Sequence, residues 1–171
     1  GWPYPVYGYQ DSQNPFALIG DHIKALTHKT KNWAVEQGTL TLDRAKRIQQ
    51  AVPDAQFKGD ITPLIERMRL IKTASEIEKM HHAGDDADRA FQFGFDALAE
   101  GKSELEVMAA LEYHIKASGV PAMSFETLVQ FGQHAANPHG STGQTKLQNG
   151  DLALFDLGTV YDGYVSDSTR T

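Results

Sequence analysis

Apolar residues in the second half of the chain recur at helical spacing. Ile77, Met80, Gly84, Ala87, Phe91, Gly94 and Leu98 follow one another at steps of three and four. That spacing predicts an amphipathic helix of about seven turns. Ser75-x-x-Glu78 reads as its capping box and Gly101 as its stop. Gly84 and Gly94 lie on the apolar stripe, where glycine costs helix propensity, so close packing against a neighbour is expected at both. A second box, Ser103-x-x-Glu106, opens a helix with Met108, Leu111 and Ile115 inward, ended by Gly119-Val-Pro121. Thr127 to Gly132 then reads as a strand. A loop rich in Gly, Asn, Pro and His follows, and Asn149-Gly150-Asp151 leads into a final run of alternating residues.

The first half alternates between the two periods. Val6 to Tyr9 reads as the end of a strand. Asn14-Pro15 opens a helix reaching about Leu26, with Asn14 as N-cap and proline at the first helical position. Trp33 to Glu36 is a short strand, Leu42 to Ala51 a helix stopped by Pro53-Asp54, Gln56 to Lys58 a strand, and Pro63 to Leu70 a short helix. Strands alternating with helices imply a partly parallel sheet. The strands are too few to complete such a sheet, so more of it is expected upstream. The boundary is expected between residues 72 and 73.

The terminal run carries the chemistry. In Leu152-Ala-Leu-Phe-Asp156-Leu-Gly158-Thr-Val-Tyr-Asp162-Gly163-Tyr-Val-Ser-Asp167-Ser-Thr169-Arg-Thr171, Asp162-Gly163 signals a two-residue hairpin turn, because both of its residues need φ > 0. Tyr161 then opposes Tyr164, and Gly158 opposes Asp167. Alternation puts Asp156 and Asp167 on one face as diagonal neighbours, roughly 7–8 Å apart at Cβ, with Gly158 leaving a gap between them. Leu152, Leu154 and Val165 share that face. Two carboxylates converging among apolar residues repel and lose water, and a divalent cation relieves both costs. Oxygen-only ligands suit hard or borderline cations such as Mn²⁺.

Composition narrows the class. The chain has 171 residues, no cysteine, 40% hydrophobic residues and a formal net charge of −6. These values fit a globular protein holding one domain or parts of two. No apolar run approaches the ~18 residues of a membrane span, and no signal peptide is visible. The acidic balance argues against nucleic acid as a partner. The lack of cysteine fits a cytoplasmic location. The chain does not start with methionine and stops directly after a strand, so both ends are expected to be internal to a longer protein.

The pattern Asp156-x-Gly158, Asp162-Gly163, Ser166-Asp167-x-Thr169-Arg170-Thr171 resembles the metal-binding hairpin of the pita-bread metallopeptidases, which include methionine aminopeptidase, aminopeptidase P and proline dipeptidase. Ser124-Phe-Glu-Thr-Leu-Val-Gln-Phe-Gly132 and Ala136-Asn-Pro-His139-Gly140 match the same superfamily. Glu66 to Ile77 resembles the junction before the catalytic domain of bacterial Xaa-Pro dipeptidases. The resemblance implies that residues 1–72 are the C-terminal portion of a creatinase-like, ribonuclease H-like α/β domain. Residues 73–171 would be the first half of an α+β pita-bread catalytic domain.

The implied activity is metal-dependent hydrolysis of Xaa-Pro dipeptides by a cytoplasmic homodimer. Its substrates would be small peptides with proline second. Two divalent ions are implied, Mn²⁺ foremost, with Co²⁺ or Zn²⁺ as alternatives. One of Asp156 and Asp167 would chelate one ion and the other would bridge both. In such sites two ions ~3.5–4 Å apart activate a water and clamp the tetrahedral intermediate. His139 matches the position that contacts the scissile region, which implies substrate binding or proton donation. The family's remaining ligands, one His and two Glu, would lie beyond Thr171, so these 171 residues alone are expected to be inactive.

Each reading has a plainer competitor. A lone loop histidine such as His139 ordinarily has no special task. His81-His82 with Asp85-Asp86 reads as a solvated helix face with His81 partly packed, and His134 as structural. An aminopeptidase P, which removes an N-terminal residue before proline, has the same hairpin. Creatinase shares the fold without needing metal, and the paired aspartates argue against it. Non-catalytic pita-bread binding proteins have lost ligands, which the retained Asp156 and Asp167 disfavour.

Overall fold

A computed structural model describes residues 3–25 and 31–171. It divides into two compact units, Gly1–Ile71 and Lys72–Thr171.

In the first unit, helix α1 (Pro15–Ala25) starts where Asn14 Oδ1 accepts the Phe16 N–H at 3.0 Å. The expected end of this helix at Leu26 lies outside the described residues. Strand β1 (Asn32–Val35) pairs in parallel with β2 (Gln56–Asp60), and α2 (Leu42–Ala51) connects them. This is the expected partly parallel arrangement in its smallest form. Thr41 caps α2 by accepting the Arg44 N–H, and Gly20 of α1 lies against Ala51. Helix α3 (Thr62–Leu70) has proline in its first turn and no side-chain cap. No strand forms at Val6–Tyr9; that segment is exposed and irregular. Its alternating aromatic residues mimic strand period, but among the described residues no neighbouring strand supplies a ladder.

The second unit is built on α4 (Ala74–Ala97) and α5 (Glu104–Ala117). The capping box of α4 is Thr73 with Glu76, two residues before the expected Ser75 and Glu78. Both pairs satisfy the motif, and Thr73 is the one with extended backbone, as an N-cap requires. The helix ends at Ala97, with Leu98 as C-cap, ahead of Gly101. The Ser103–Glu106 box of α5 forms as expected.

Strand β3 (Leu128–Phe131) is followed by a 3-10 turn (Gly132–Ala136). Strands β4 (Ala153–Leu157), β5 (Val160–Tyr161), β6 (Tyr164–Val165) and β7 (Ser168–Arg170) complete the unit. The order β3-β4-β7 makes a three-stranded antiparallel sheet, and β5-β6 is a separate two-stranded ladder.

The core lies between this sheet and the two helices. It comprises Ala87, Ala90, Phe91, Val107, Leu111, Ile115, Val120, Val129, Phe131, Phe155 and Leu157. Burying each of the large apolar side chains contributes about 1.5–3 kcal/mol. Helix and sheet approach closely at Gly94. A Cβ there would lie 2.7 Å from Phe155 Cε1 and 2.8 Å from Leu111 Cδ1. The close packing expected at Gly84 is absent, since nothing lies within 4 Å of a Cβ built there. Ile77 and Met80 are exposed as well.

The first turns of α4 meet the hairpin through other residues. Tyr164 donates to Glu76 Oε1 at 2.8 Å, Lys79 pairs with Asp162 at 2.6 Å, and buried Thr159 donates to the Ala83 carbonyl at 2.7 Å. Residues 76, 79 and 83 are themselves at helical spacing. Hydrophobic periodicity does not register them, because two of the three ties are made by charged side chains and the third by a backbone carbonyl.

Candidate metal centre

The hairpin forms around Asp162-Gly163, with φ of 45° and 83° at the two turn residues. Tyr161 opposes Tyr164 and Val160 opposes Val165. The same register continues beyond a break: Leu157 opposes Ser168, Asp156 opposes Thr169 and Phe155 opposes Arg170.

The ladder does not run through Gly158 and Asp167 as expected. The Gly158 carbonyl accepts the Ser124 N–H at 2.9 Å, from a segment outside the hairpin. A Cβ on Gly158 would collide with the Ser166 carbonyl and the Ser124 hydroxyl, which are hydrogen-bonded to each other at 2.8 Å. The space expected to remain as a gap between the aspartates is therefore occupied. Glycine is needed here because a third segment crosses the hairpin.

Asp156 is half-buried. Its Oδ1 accepts the Thr169 hydroxyl at 2.9 Å, which leaves Oδ2 available to a ligand. Asp167 is exposed, and its carboxylate has no hydrogen-bond or ion-pair partner among the described residues. Of their expected apolar neighbours, Leu152 is 67% and Val165 54% exposed, while Leu154 is half-buried. The acids thus lie toward the open side of the sheet, and the sealed side belongs to Phe155 and Leu157. Among the described residues no three of His, Cys, Asp and Glu gather into one cluster. As a donor set, two carboxylates suit a hard divalent cation and supply part of its shell.

His139 reaches the same side of the sheet by another route. Leu128 opposes Asp156 and Gln130 opposes Leu154, so Leu128, Gln130 and Asp156 share a face. Gln130 is fully buried on this otherwise open face, because Gly140 lies directly against its side chain and leaves no room for a Cβ. The loop that covers Gln130 carries His139, which is exposed. It is shaped by the Asn137 side chain accepting the His139 N–H at 3.2 Å and by the Asn137 carbonyl accepting the Gly140 N–H at 3.0 Å.

His81 and His82 are both exposed. The packed ring is that of His82, stacked on Tyr161 at 4.6 Å, and not that of His81 as expected. Helical spacing alone did not show which of the two neighbours faces the hairpin. Asp86 is tied to Arg89 at 2.5 Å.

Electrostatics stiffen the seat of the hairpin. The Thr73 backbone N–H, the Tyr164 hydroxyl and the Thr73 side chain together lower the Glu76 carboxyl to about 2. Its hydrogen bond to Glu76 pushes the Tyr164 phenol up. Asp162 raises Lys79. The turn aspartate therefore does more than shape a turn, since it anchors the turn to α4.

Two residues escaped the sequence reading. Thr169 holds Asp156, and the expected register already placed them opposite each other. Glu104 is fully buried beneath the His139 loop. Its position directly after the cap Ser103 looks like an ordinary first-turn acid, so the sequence holds no signal for that burial.

Comparison with known proteins agrees with the fold expected from the sequence. A profile described as Metallopeptidase family M24 matches residues 78–171, and one described as Creatinase/Prolidase N-terminal domain matches residues 1–71. A Xaa-Pro dipeptidase of Lactobacillus helveticus is 43% identical over 99% of this chain and 46% of its own length. Among solved structures, a Xaa-Pro dipeptidase from Bacillus anthracis superposes with a TM-score of 0.83 at 34% identity, over 94% of this chain and 44% of that one. An X-Pro aminopeptidase from Thermotoga maritima MSB8 gives a TM-score of 0.83 at 29% identity, over 94% and 45%. The chain spans about half the length of the curated relatives it matches.

Proposed function

The chain belongs to metallopeptidase family M24, and from that premise we propose that the whole protein hydrolyses Xaa-Pro dipeptides with divalent metal. The observation that carries this reading is the common register of the hairpin. It sets Asp156 opposite Thr169 on the open side of a sheet whose other side is sealed, and exposed Asp167 lies two residues before Thr169.

In this reading Asp156 and Asp167 hold divalent metal, with Mn²⁺ favoured by the oxygen-only donors. When bound, the metal supplies an activated water and a Lewis acid for the scissile carbonyl. Thr169 fixes the Asp156 carboxylate by occupying one of its oxygens. His139, on the loop over the same side, binds the substrate or delivers a proton to the departing proline nitrogen. The sealed face gives the acids a rigid base, because Phe155 and Leu157 flank Asp156 in sequence and cannot shift without opening the core.

With two carboxylates and no third clustered ligand among the described residues, residues 1–171 alone are inactive in this reading. A cytoplasmic homodimer acting on small peptides completes the proposal. The aminopeptidase P alternative draws on the likeness to the Thermotoga maritima X-Pro aminopeptidase.

The test is a rate comparison in the full-length protein loaded with Mn²⁺. Leu-Pro should be cleaved faster than Leu-Pro-Gly-Gly. Faster cleavage of the longer peptide would establish the aminopeptidase reading, and cleavage of neither would leave a binding protein.

A further inference from the structure

Glu104 is the first residue of α5 and is fully buried, yet the helix does not need it, since the Ser103–Glu106 box already serves that N-terminus. A carboxylate removed from water needs donors at both oxygens. Glu104 receives them from two sequence-distant places. Phe131 donates its backbone N–H to Oε1 at 2.9 Å. His134 Nδ1 lies 2.8 Å from Oε1 and 3.0 Å from Oε2. On the other oxygen, the Gly143 N–H donates to Oε2 at 2.8 Å.

Phe131 and His134 precede His139, and Gly143 follows it. One buried carboxylate therefore closes the neck of the loop that carries the histidine. Thr142 adds a parallel tie, accepting the Val129 N–H at 2.8 Å and donating to the Thr127 carbonyl at 3.3 Å. Between these ties the loop crosses the sheet face that carries Asp156, with Gly140 lying on Gln130.

We infer that Glu104 is a positioning residue that clamps both ends of the His139 loop and so sets where His139 stands over the Asp156 face. This rests on the proposed role of His139. Glu104 itself touches no substrate.

The test is a double-mutant cycle in the full-length, metal-loaded protein, with Glu104→Gln and His139→Ala made singly and together and kcat and KM read on Leu-Pro. Glu104→Gln keeps shape and volume but exchanges one acceptor oxygen for an NH₂ that faces donors. It should lower kcat about 10–100-fold with metal content unchanged. In the His139→Ala background it should change kcat less than about twofold, because residues that act through one another are not additive. Equal losses in both backgrounds, or no loss in either, overturn the inference. Should Glu104→Gln not fold, Gly143→Pro removes one donor while leaving the buried carboxylate and His134 in place, and the same cycle decides.

Amide hydrogen exchange reads the clamp without any substrate. Glu104→Gln should speed exchange at Gly140 and Gly143 by about tenfold or more while β4 keeps its protection. Unchanged exchange at both glycines overturns the clamp. A wild-type protein that cleaves no Xaa-Pro peptide overturns the proposed function, and the exchange data then decide the clamp alone.

Discussion

Val129, Phe131, Phe155 and Leu157 have no exposed surface, whereas Leu154 and Asp156 of β4 and Thr169 of β7, in the same sheet, retain theirs. Along β4 the two sets alternate residue by residue, so the two faces of one sheet differ by a single step in register. The face packed on α4 and α5 supplies rigidity. The opposite face holds the acids, and the histidine loop lies along its β3 edge. Gln130 is the instructive exception, since it belongs to the open face by register but is buried, because the His139 loop lies on it. Neighbouring substitutions should therefore fail in different ways.

The largest effect is expected on the open face. In the full-length protein, Asp156→Asn should remove several orders of magnitude of Xaa-Pro hydrolysis and lower bound metal while the fold is kept. Asparagine still accepts from Thr169 but lacks the anionic charge. Metal stoichiometry and dipeptide turnover check this, and near-normal values of both would sink the assignment of this face.

On the same face, His139→Ala should lower kcat/KM by about 10²–10⁴, the range for a positioned acid or base. Bound metal should not change. Loss of metal in this variant would make His139 a ligand instead.

The sealed face should answer in stability. Phe155→Ala should cost about 3–5 kcal/mol, the usual range for emptying a large buried aromatic site. Leu154→Ala, one residue away on the open face, should cost less than about 1 kcal/mol. Urea midpoints of the two variants measure the contrast, and equal midpoints would mean that both faces are covered.

The smallest effect concerns the seat of the hairpin. The Glu76 carboxyl is lowered from 4.5 to about 2 in the folded chain. A depressed folded value means that its contribution is present above the unfolded value and is lost as pH falls from 4.5 toward 2. Glu76→Gln should flatten the fall of Tm across that window and lower Tm slightly at neutral pH. A wild-type profile identical to that of the variant would show that the Tyr164 and Thr73 contacts carry no linkage.

Much of this organisation was legible beforehand, and the failures have physical causes. The turn at Asp162-Gly163, the register that opposes Tyr161 to Tyr164, the Ser103–Glu106 cap and helix α2 all depend on residues close in sequence, where φ preference, alternation and capping decide locally. The alternation likewise marked Asp156 for the face away from Phe155 and Leu157, where it opposes Thr169. Other features were settled by contacts between distant segments. Ser124 crosses the hairpin at Gly158, and its hydroxyl donates to the Ser166 carbonyl that the ladder would have given to the Thr159 N–H. The first turns of α4 face the hairpin with Glu76, Lys79 and the Ala83 carbonyl, not with Ile77 and Met80, because polar ties leave no mark in a hydrophobic pattern. Glu104 reads as one more first-turn acid until the fold brings Phe131, His134 and Gly143 around it. The residue types and their spacing by themselves determined which side chains are the candidates for binding metal or moving a proton. Only tertiary structure decided which face is dry and what holds His139 in place, because burial and hydrogen-bond partners are properties of segments that meet in space.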